Sequence, residues 1–287
     1  MGYGIEDLLH LFDLETLEVN IYRGRNRDIG TGRIFGGQVL AQALVAAKRT
    51  VEEDRFAHSM HGYFILPGDL NAPVVYFVDR LRDGRSFTTR RVTAIQHGRA
   101  IFNMSASFHK FEEGLEHQAR APVVPEPEEL ENELDLFRAM EDRVPIELRQ
   151  VLLQDRPIDW RPVDPLDPFE PEPRPPARYM WLRAIGELSD DITAHQAVLA
   201  YASDYGILAT ALAPHGYSIR TPGMQAATLD HAIWFHRPFR VDEWLLHAME
   251  SPAAYGARGF ARGNIFSRDG TLVASVAQEG LIRLIGQ

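Results

Sequence analysis

The stretch LVASVAQEG, residues 272–280, reads as a strand in which Leu272, Ala274, Val276 and Gln278 share one face. That row is apolar until it reaches the amide. A buried amide without partners costs on the order of 1–3 kcal/mol, so Gln278 calls for polar company. The second half of the chain supplies two more small polar groups in apolar surroundings: Asp204 in LAYASDYGILATAL and Thr228 in QAATLDHAIWF. Singly, each has an ordinary explanation: an amide bonded to nearby backbone, an N-cap for the helical stretch after Asp204, a threonine at a turn or strand edge. Together, a carboxylate that accepts a proton and two groups that fix a water by hydrogen bonds permit general-base chemistry on that water.

Other residues compete for that role. His58 and His61 in HSMHGYF are three apart, and a histidine near neutral pH is a good general base. They precede a strand in the first part of the chain, so structural polar contacts are expected of them, with His58 as the reserve candidate. His231 and His236 flank an aromatic strand and are assigned structural places too. The chain has no HExxH and no Gly-x-Ser-x-Gly elbow, so neither a metal centre nor a serine nucleophile is expected, and no cofactor. GTGRIFGG misses the dinucleotide fingerprint, having Phe35 where glycine is required.

Any such trio must be positioned by larger elements, and the chain spells those out twice. HGYFILPGDL (61–70) aligns with AIWFHRPFRV (232–241), setting Phe64 on Phe235 and Pro67 on Pro238. Long alternating runs follow both, with tight hairpin turns at QHGR and SRDG. Ahead of each set lies an Ala- and Leu-rich helix: GGQVLAQALVAAKR (36–49) and AHQAVLAYASDYGILATAL (194–212), the second interrupted near Ser203–Asp204. One helix and several antiparallel strands per unit of roughly a hundred residues is a duplicated α+β pattern, with each apolar helix wrapped by its sheet. Aligning Gly98 with Gly270 sets Ala106 opposite Gln278, so the inward position is apolar in one copy and amide in the other. The expected division is 1–112, a connecting segment 113–177, and 178–287. The connection is rich in acid and in prolines such as Pro165, Pro168 and Pro171, which forbid a central strand or a long helix. It is expected to lie over the surface as a tether, with short helices in ELENELDLFRAM and IELRQVLLQ.

Composition bounds the rest. Hydrophobic residues at 45% with 24% charged is the balance of a globular protein, and a net charge of −10 disfavours nucleic acid. The absence of cysteine excludes disulfides, thiolate catalysis and Cys-ligated zinc. No apolar run approaches membrane-spanning length and no signal peptide opens the chain, so a cytoplasmic protein is expected.

The long ordered stretches IYRGRNRDIGTGRIFGGQVLAQALVAA, HSMHGYFILPGD, RDGRSFTTRRVTAIQ, YASDYG, TLDHAIWFHRPF and ESPAAYGARGFARGNIFSRDGTLVASVAQEGLIR resemble the acyl-CoA thioesterase II family. The resemblance implies a double hotdog, two curved antiparallel sheets each wrapped around a helix, and hydrolysis of fatty acyl-CoA to free acid and CoA. It maps the family's catalytic Asp, Ser/Thr and Gln onto Asp204, Thr228 and Gln278. Hotdog proteins usually pair, so a homodimer or larger assembly is expected by analogy. The phosphates of CoA call for basic residues, for which Arg82, Arg85, Arg90, Arg91, Arg258 and Arg262 are candidates. An apolar channel is sought near Phe64, Phe87 and Trp234, and oxyanion donors among the backbone N–H groups of Tyr205 and Gly206. Two rivals are a hotdog hydratase and a non-catalytic acyl-CoA sensor. A hydratase needs Asp and His a few residues apart, whereas the first histidine after Asp204 is His215. A sensor has no need of a water-positioning trio.

Overall fold

The computed structural model describes residues 3–30 and 32–286. Its elements run α1 (Ile5–Phe12), β1 (Glu15–Glu18), β2 (Ile21–Gly24), α2 (Gly36–Lys48), β3 (Phe56–Phe64), β4 (Val74–Asp83), β5 (Phe87–Gln96) and β6 (Arg99–His109). After these come α3 (Glu133–Ala139), α4 (Ile146–Leu152), β7 (Ile158–Pro162), β8 (Ala177–Ala184), α5 (Ile192–Ser203) and α6 (Ala209–Leu212). The chain closes with β9 (Met224–Phe235), β10 (Leu245–Tyr255), β11 (Arg258–Ser267) and β12 (Leu272–Leu284).

Alternation along the strands turns one side inward: Thr88, Arg90, Val92, Ala94 and Gln96 of β5 are buried while the residues between them are not. The hairpin between β5 and β6 turns at His97 and Gly98, both at positive φ, as a tight primed turn requires. The halves meet through β3 and β9, antiparallel with His61 opposite Ala232, so their sheets join into one twelve-stranded sheet. A pseudo-twofold through that pair relates residue 61 to residue 232, the same offset as in the sequence repeat.

Helices α2 and α5 pack on each other and against the concave face of the sheet. Nearly all of α2 from Gly37 to Ala47 is buried, and so is α5 from His195 to Ser203. Such helices have no wet face, and the sheet must enclose them. Asp191 caps α5 by accepting from the Thr193 N–H at 2.9 Å, whereas α2 begins at Phe35 with no side-chain cap of its own.

The segment 113–177 does more than tether. It contributes α3 and α4 in the two places its sequence suggested, and β7, an edge strand paired with β8. Ala121, Val124 and Leu130 lie against Trp181, Trp244 and Phe266 on the outside of the C-terminal sheet, while Phe137, Val144 and Leu152 make a small core of their own. The prolines confine it to an edge and to short helices, as expected, but its spaced apolar side chains bind it to the body.

Candidate functional site

Asp204 ends α5, still in helical conformation, so it is not the N-cap of α6 that its sequence position suggested. A carboxylate there faces the negative end of its own helix dipole. The compensation comes from the other half: the Gly37 N–H, in the uncapped first turn of α2, donates to Asp204. The approach requires glycine. A Cβ on Gly36 would stand 2.5 Å from Asp204 Oδ2, and one on Gly37 would strike the Tyr201 carbonyl oxygen. The paired glycines of GTGRIFGG therefore allow the two helices to close on each other.

Thr228 of β9 donates its hydroxyl proton to Asp204 Oδ1 at 3.2 Å, and Gln278 Nε2 of β12 donates to Thr228 Oγ1 at 3.2 Å. The three residues singled out in the sequence thus form one hydrogen-bonded run. A bulge between Glu279 and Gly280 sets Thr228 opposite Gly280, and His231 opposite Gln278. All three face a single cavity of about 1110 Å³ lined by both halves and by the segment 113–177.

His231 and Ser203 complete the run behind them, a part the sequence reading missed by giving His231 a merely structural place. The ring is fully buried, with Nδ1 2.6 Å from Gln278 Oε1 and Nε2 2.9 Å from Ser203 Oγ. An amide oxygen only accepts, so Nδ1 carries the proton; burial favours the neutral ring, which leaves Nε2 to accept from the serine. Protons then point one way from His231 through Gln278 and Thr228 to Asp204, while the single Ser203 hydroxyl proton has two acceptors in reach, His231 Nε2 at 2.9 Å and the Ala200 carbonyl oxygen at 3.0 Å. Asp204 itself has its pKa raised, chiefly by desolvation, against the lowering influence of His231, Thr228, Gly37 and Gln278. A carboxylate shifted toward neutrality is a better proton acceptor for water than an ordinary one.

Other candidates fall elsewhere. His58 does not line the cavity; its Nε2 has no hydrogen-bond partner among the described residues and its ring packs edge-on against Phe87 and His109. His61 bonds Asp230 across the β3–β9 seam at 2.9 Å, and His236 bonds Ser275 at 2.9 Å. None of the six arginines sought for CoA lines the cavity. Arg90 is fully buried in bonds to Thr50, Thr89, Arg82 and Asp83, while Arg91, Arg258 and Arg262 pair with Asp79, Glu279 and Glu250 on exposed strand faces. The cavity takes its arginines from Arg33, Arg156, Arg178 and Arg220 instead. Of the aromatics, Phe64 lines it; Phe87 stacks on His109 and Trp234 is 42% exposed on the other face. Tyr205 is no oxyanion donor, because its N–H already bonds the Ala202 carbonyl. Among the described residues no cluster of His, Asp and Glu could hold a metal ion, and no helix is long and apolar enough to cross a membrane.

Comparison with known proteins bears on the family and the fold. The acyl-CoA thioesterase model matches residues 151–281, and the acyl-CoA thioesterase N-terminal domain model matches 24–109. "Acyl-CoA thioesterase 2" of Haemophilus influenzae is 44% identical, covering 97% of this chain and 98% of that protein. The crystal structure of an acyl-CoA thioesterase II, TesB2, from Mycobacterium marinum superposes with a TM-score of 0.80 at 41% identity, over 96% of this chain and 98% of that one. A hot dog fold protein of unknown function from Alicyclobacillus acidocaldarius, 18% identical with a TM-score of 0.75 over 96% of this chain and 97% of that one, shares the fold. A double hotdog in sequence and in shape, the chain belongs to the acyl-CoA thioesterase family.

Proposed function

We propose that this acyl-CoA thioesterase hydrolyses fatty acyl-CoA through a water held by Asp204, Thr228 and Gln278, its catalytic residues. One observation carries the reading: the unbroken run Gln278 to Thr228 to Asp204 on the wall of the large cavity. Asp204 takes a proton from the water as the oxygen attacks the thioester carbonyl, while Thr228 and Gln278 hold that oxygen in line. The tetrahedral oxyanion collapses, the C–S bond breaks, and the thiolate leaves without strong acid assistance, recovering the proton from Asp204. The balance is thioester plus water to carboxylic acid plus thiol. The positive end of α2 suits the oxyanion better than the turn after Asp204 does. Gly36 belongs to the first turn of α2, where N–H groups lack helical partners, and its backbone lies against the carboxylate.

In this reading the division is 1–112, 113–177 and 178–287, with the reactive set in the last part. The enzyme works in the cytoplasm as a homodimer or larger homo-oligomer, which light scattering on the purified protein checks. The decisive assay follows free thiol from palmitoyl-CoA. Release by the wild type and its loss in Gln278→Ala, with the fold retained, is the expected result. Hydration of an enoyl-CoA, or tight binding with no turnover, would replace the reading by the hydratase or the sensor.

A further inference from the structure

Of the cavity's arginines, Arg156 is already committed. Its Nη1 donates to Glu133 Oε2 at 2.6 Å and to the Tyr205 hydroxyl at 3.0 Å, and that hydroxyl donates to the same carboxylate oxygen at 2.5 Å. Arg178, on β8, has five N–H groups and makes one side-chain hydrogen bond to the described residues, from Nη1 to the Gly206 carbonyl at 3.3 Å. Arg220, between α6 and β9, donates its backbone N–H to Ser218 Oγ at 3.0 Å, but its guanidinium makes no hydrogen bond or ion pair with any described residue. The carboxylates that act on Arg178 and Arg220 electrostatically are Glu133 and Asp164, and these hold Arg156 and Arg174. Two part-buried guanidinium groups therefore face one cavity with all but one of their N–H donors unspent among the described residues.

A guanidinium stays charged at any working pH, and removing it from bulk water without a counter-charge is costly. Elsewhere the protein avoids that cost: even the fully buried Arg90 has Asp83 and three other residues. The same cavity is lined by apolar Phe64, Met180 and Leu208 and by the Trp160 ring stacked on Tyr205 at 4.6 Å, with the carboxylates Glu133, Asp167, Glu172 and Asp204 also on its wall. The bond to Gly206 ties Arg178 to the turn two residues beyond Asp204, within the cavity that Asp204 lines.

We propose that Arg178 and Arg220 form an anion-binding subsite of the cavity that receives a charged group of the substrate and selects which thioesters are turned over. The proposal rests on the thioesterase reading of this cavity. Two parts of an acyl-CoA can supply the anion: a phosphate of the nucleotide portion, or a carboxylate at the far end of the acyl chain. Both match the bidentate fork of arginine.

The full-length wild type and the variants Arg178→Gln, Arg220→Gln and the double variant are assayed by thiol release. The substrates are decanoyl-CoA, S-decanoyl-pantetheine, which lacks the phosphates, and the CoA thioester of decanedioic acid. If phosphate is the ligand, kcat/KM for decanoyl-CoA relative to the pantetheine thioester falls by about tenfold in the double variant. If the ligand is the distal carboxylate, the ratio of the decanedioyl thioester to decanoyl-CoA falls by a similar factor. A change below about threefold in both ratios, with unaltered circular dichroism, overturns the subsite. Should the glutamine variants fail to fold, the same ratios are read on Arg→Lys variants, which keep the charge and lose the fork. A wild type silent on all three substrates would instead sink the thioesterase reading. Calorimetric titration of the wild type and variants with CoA and with decanedioate then tests the subsite directly, and unchanged affinities for both overturn it.

Discussion

Across β9, β12 and β11 of the C-terminal half, one inward row reads His231, Gln278, Ala261; across β3, β6 and β5 of the N-terminal half the matching row reads Met60, Ala106, Arg90. One step along, Thr228 stands opposite Gly280 in the first case and Ala57 opposite Phe108 in the second. Both rows solve the same problem, how to fill the space where a buried helix ends over the sheet. In the N-terminal half a single large cation fills it and bonds to Thr50, Thr89, Arg82 and Asp83. In the C-terminal half several small polar groups bond to one another and border a cavity. In the proposed reading, the difference teaches that one copy of a duplicated scaffold can be closed by a bonded arginine while the other carries the chemistry. A row closed by an arginine has no place for a water, whereas a row of serine, histidine, amide, alcohol and carboxylate offers one.

Variants can break that contrast or sharpen it. The largest effect is expected from Asp204→Asn, which removes the proton acceptor and should lower kcat about a hundredfold to ten-thousandfold. In the wild type the folded carboxyl holds its proton more tightly than the unfolded one. Its contribution to stability is therefore greatest in acid and declines as pH rises through the folded pKa. Asparagine escapes that loss, so this variant should melt higher than the wild type at neutral pH while being nearly inactive. The acid limb of the wild-type kcat profile should lie above the ordinary aspartate range. A variant that is both active and less stable would contradict the assignment.

On the other side of the contrast, Arg90→Ala should cost about 3–5 kcal/mol in urea unfolding, because four bonded residues lose their partner. Below its melting transition it should retain wild-type kcat, which a reactive N-terminal half would not allow. Gln278→Ala gives the C-terminal row the alanine of its counterpart and should lower kcat about a hundredfold. The strand row still packs, and the stranded His231 N–H should cost about 1–3 kcal/mol.

A smaller effect is expected from His231→Asn, which touches the reacting water only through Gln278. It should reduce kcat about tenfold with KM little changed, and Ser203→Ala should reduce it less. A purely structural His231 would instead lower stability and leave kcat alone. Least of all, Arg262→Gln should leave kcat/KM within about twofold and stability within about 0.5 kcal/mol, since its bond to Glu250 lies on the exposed side of the sheet.

Much of the scaffold was legible along the chain. Alternation in β5 and β12, the turns at Gly98 and Gly270, and two apolar helices without a wet face all arise between neighbours in sequence. The family motifs carried the three side chains. What the chain could not disclose was the company those side chains keep. Asp204 and Thr228 are 24 residues apart, and Thr228 and Gln278 are 50 apart. Their meeting depends on strand register, on the bulge beside Gly280 and on sheet curvature, none of which a periodicity records. For the same reason the arginine-rich stretches misled: alternation tells which residues share a face, and only pairing across strands told that Arg91, Arg258 and Arg262 were already partnered on the outer one. Sequence alone determined the repeated units and the chemical groups available. Tertiary structure decided that the uncapped start of α2 meets the carboxylate ending α5, that His231 orients the amide, and that 113–177 walls the cavity, because each depends on distant segments being packed at once.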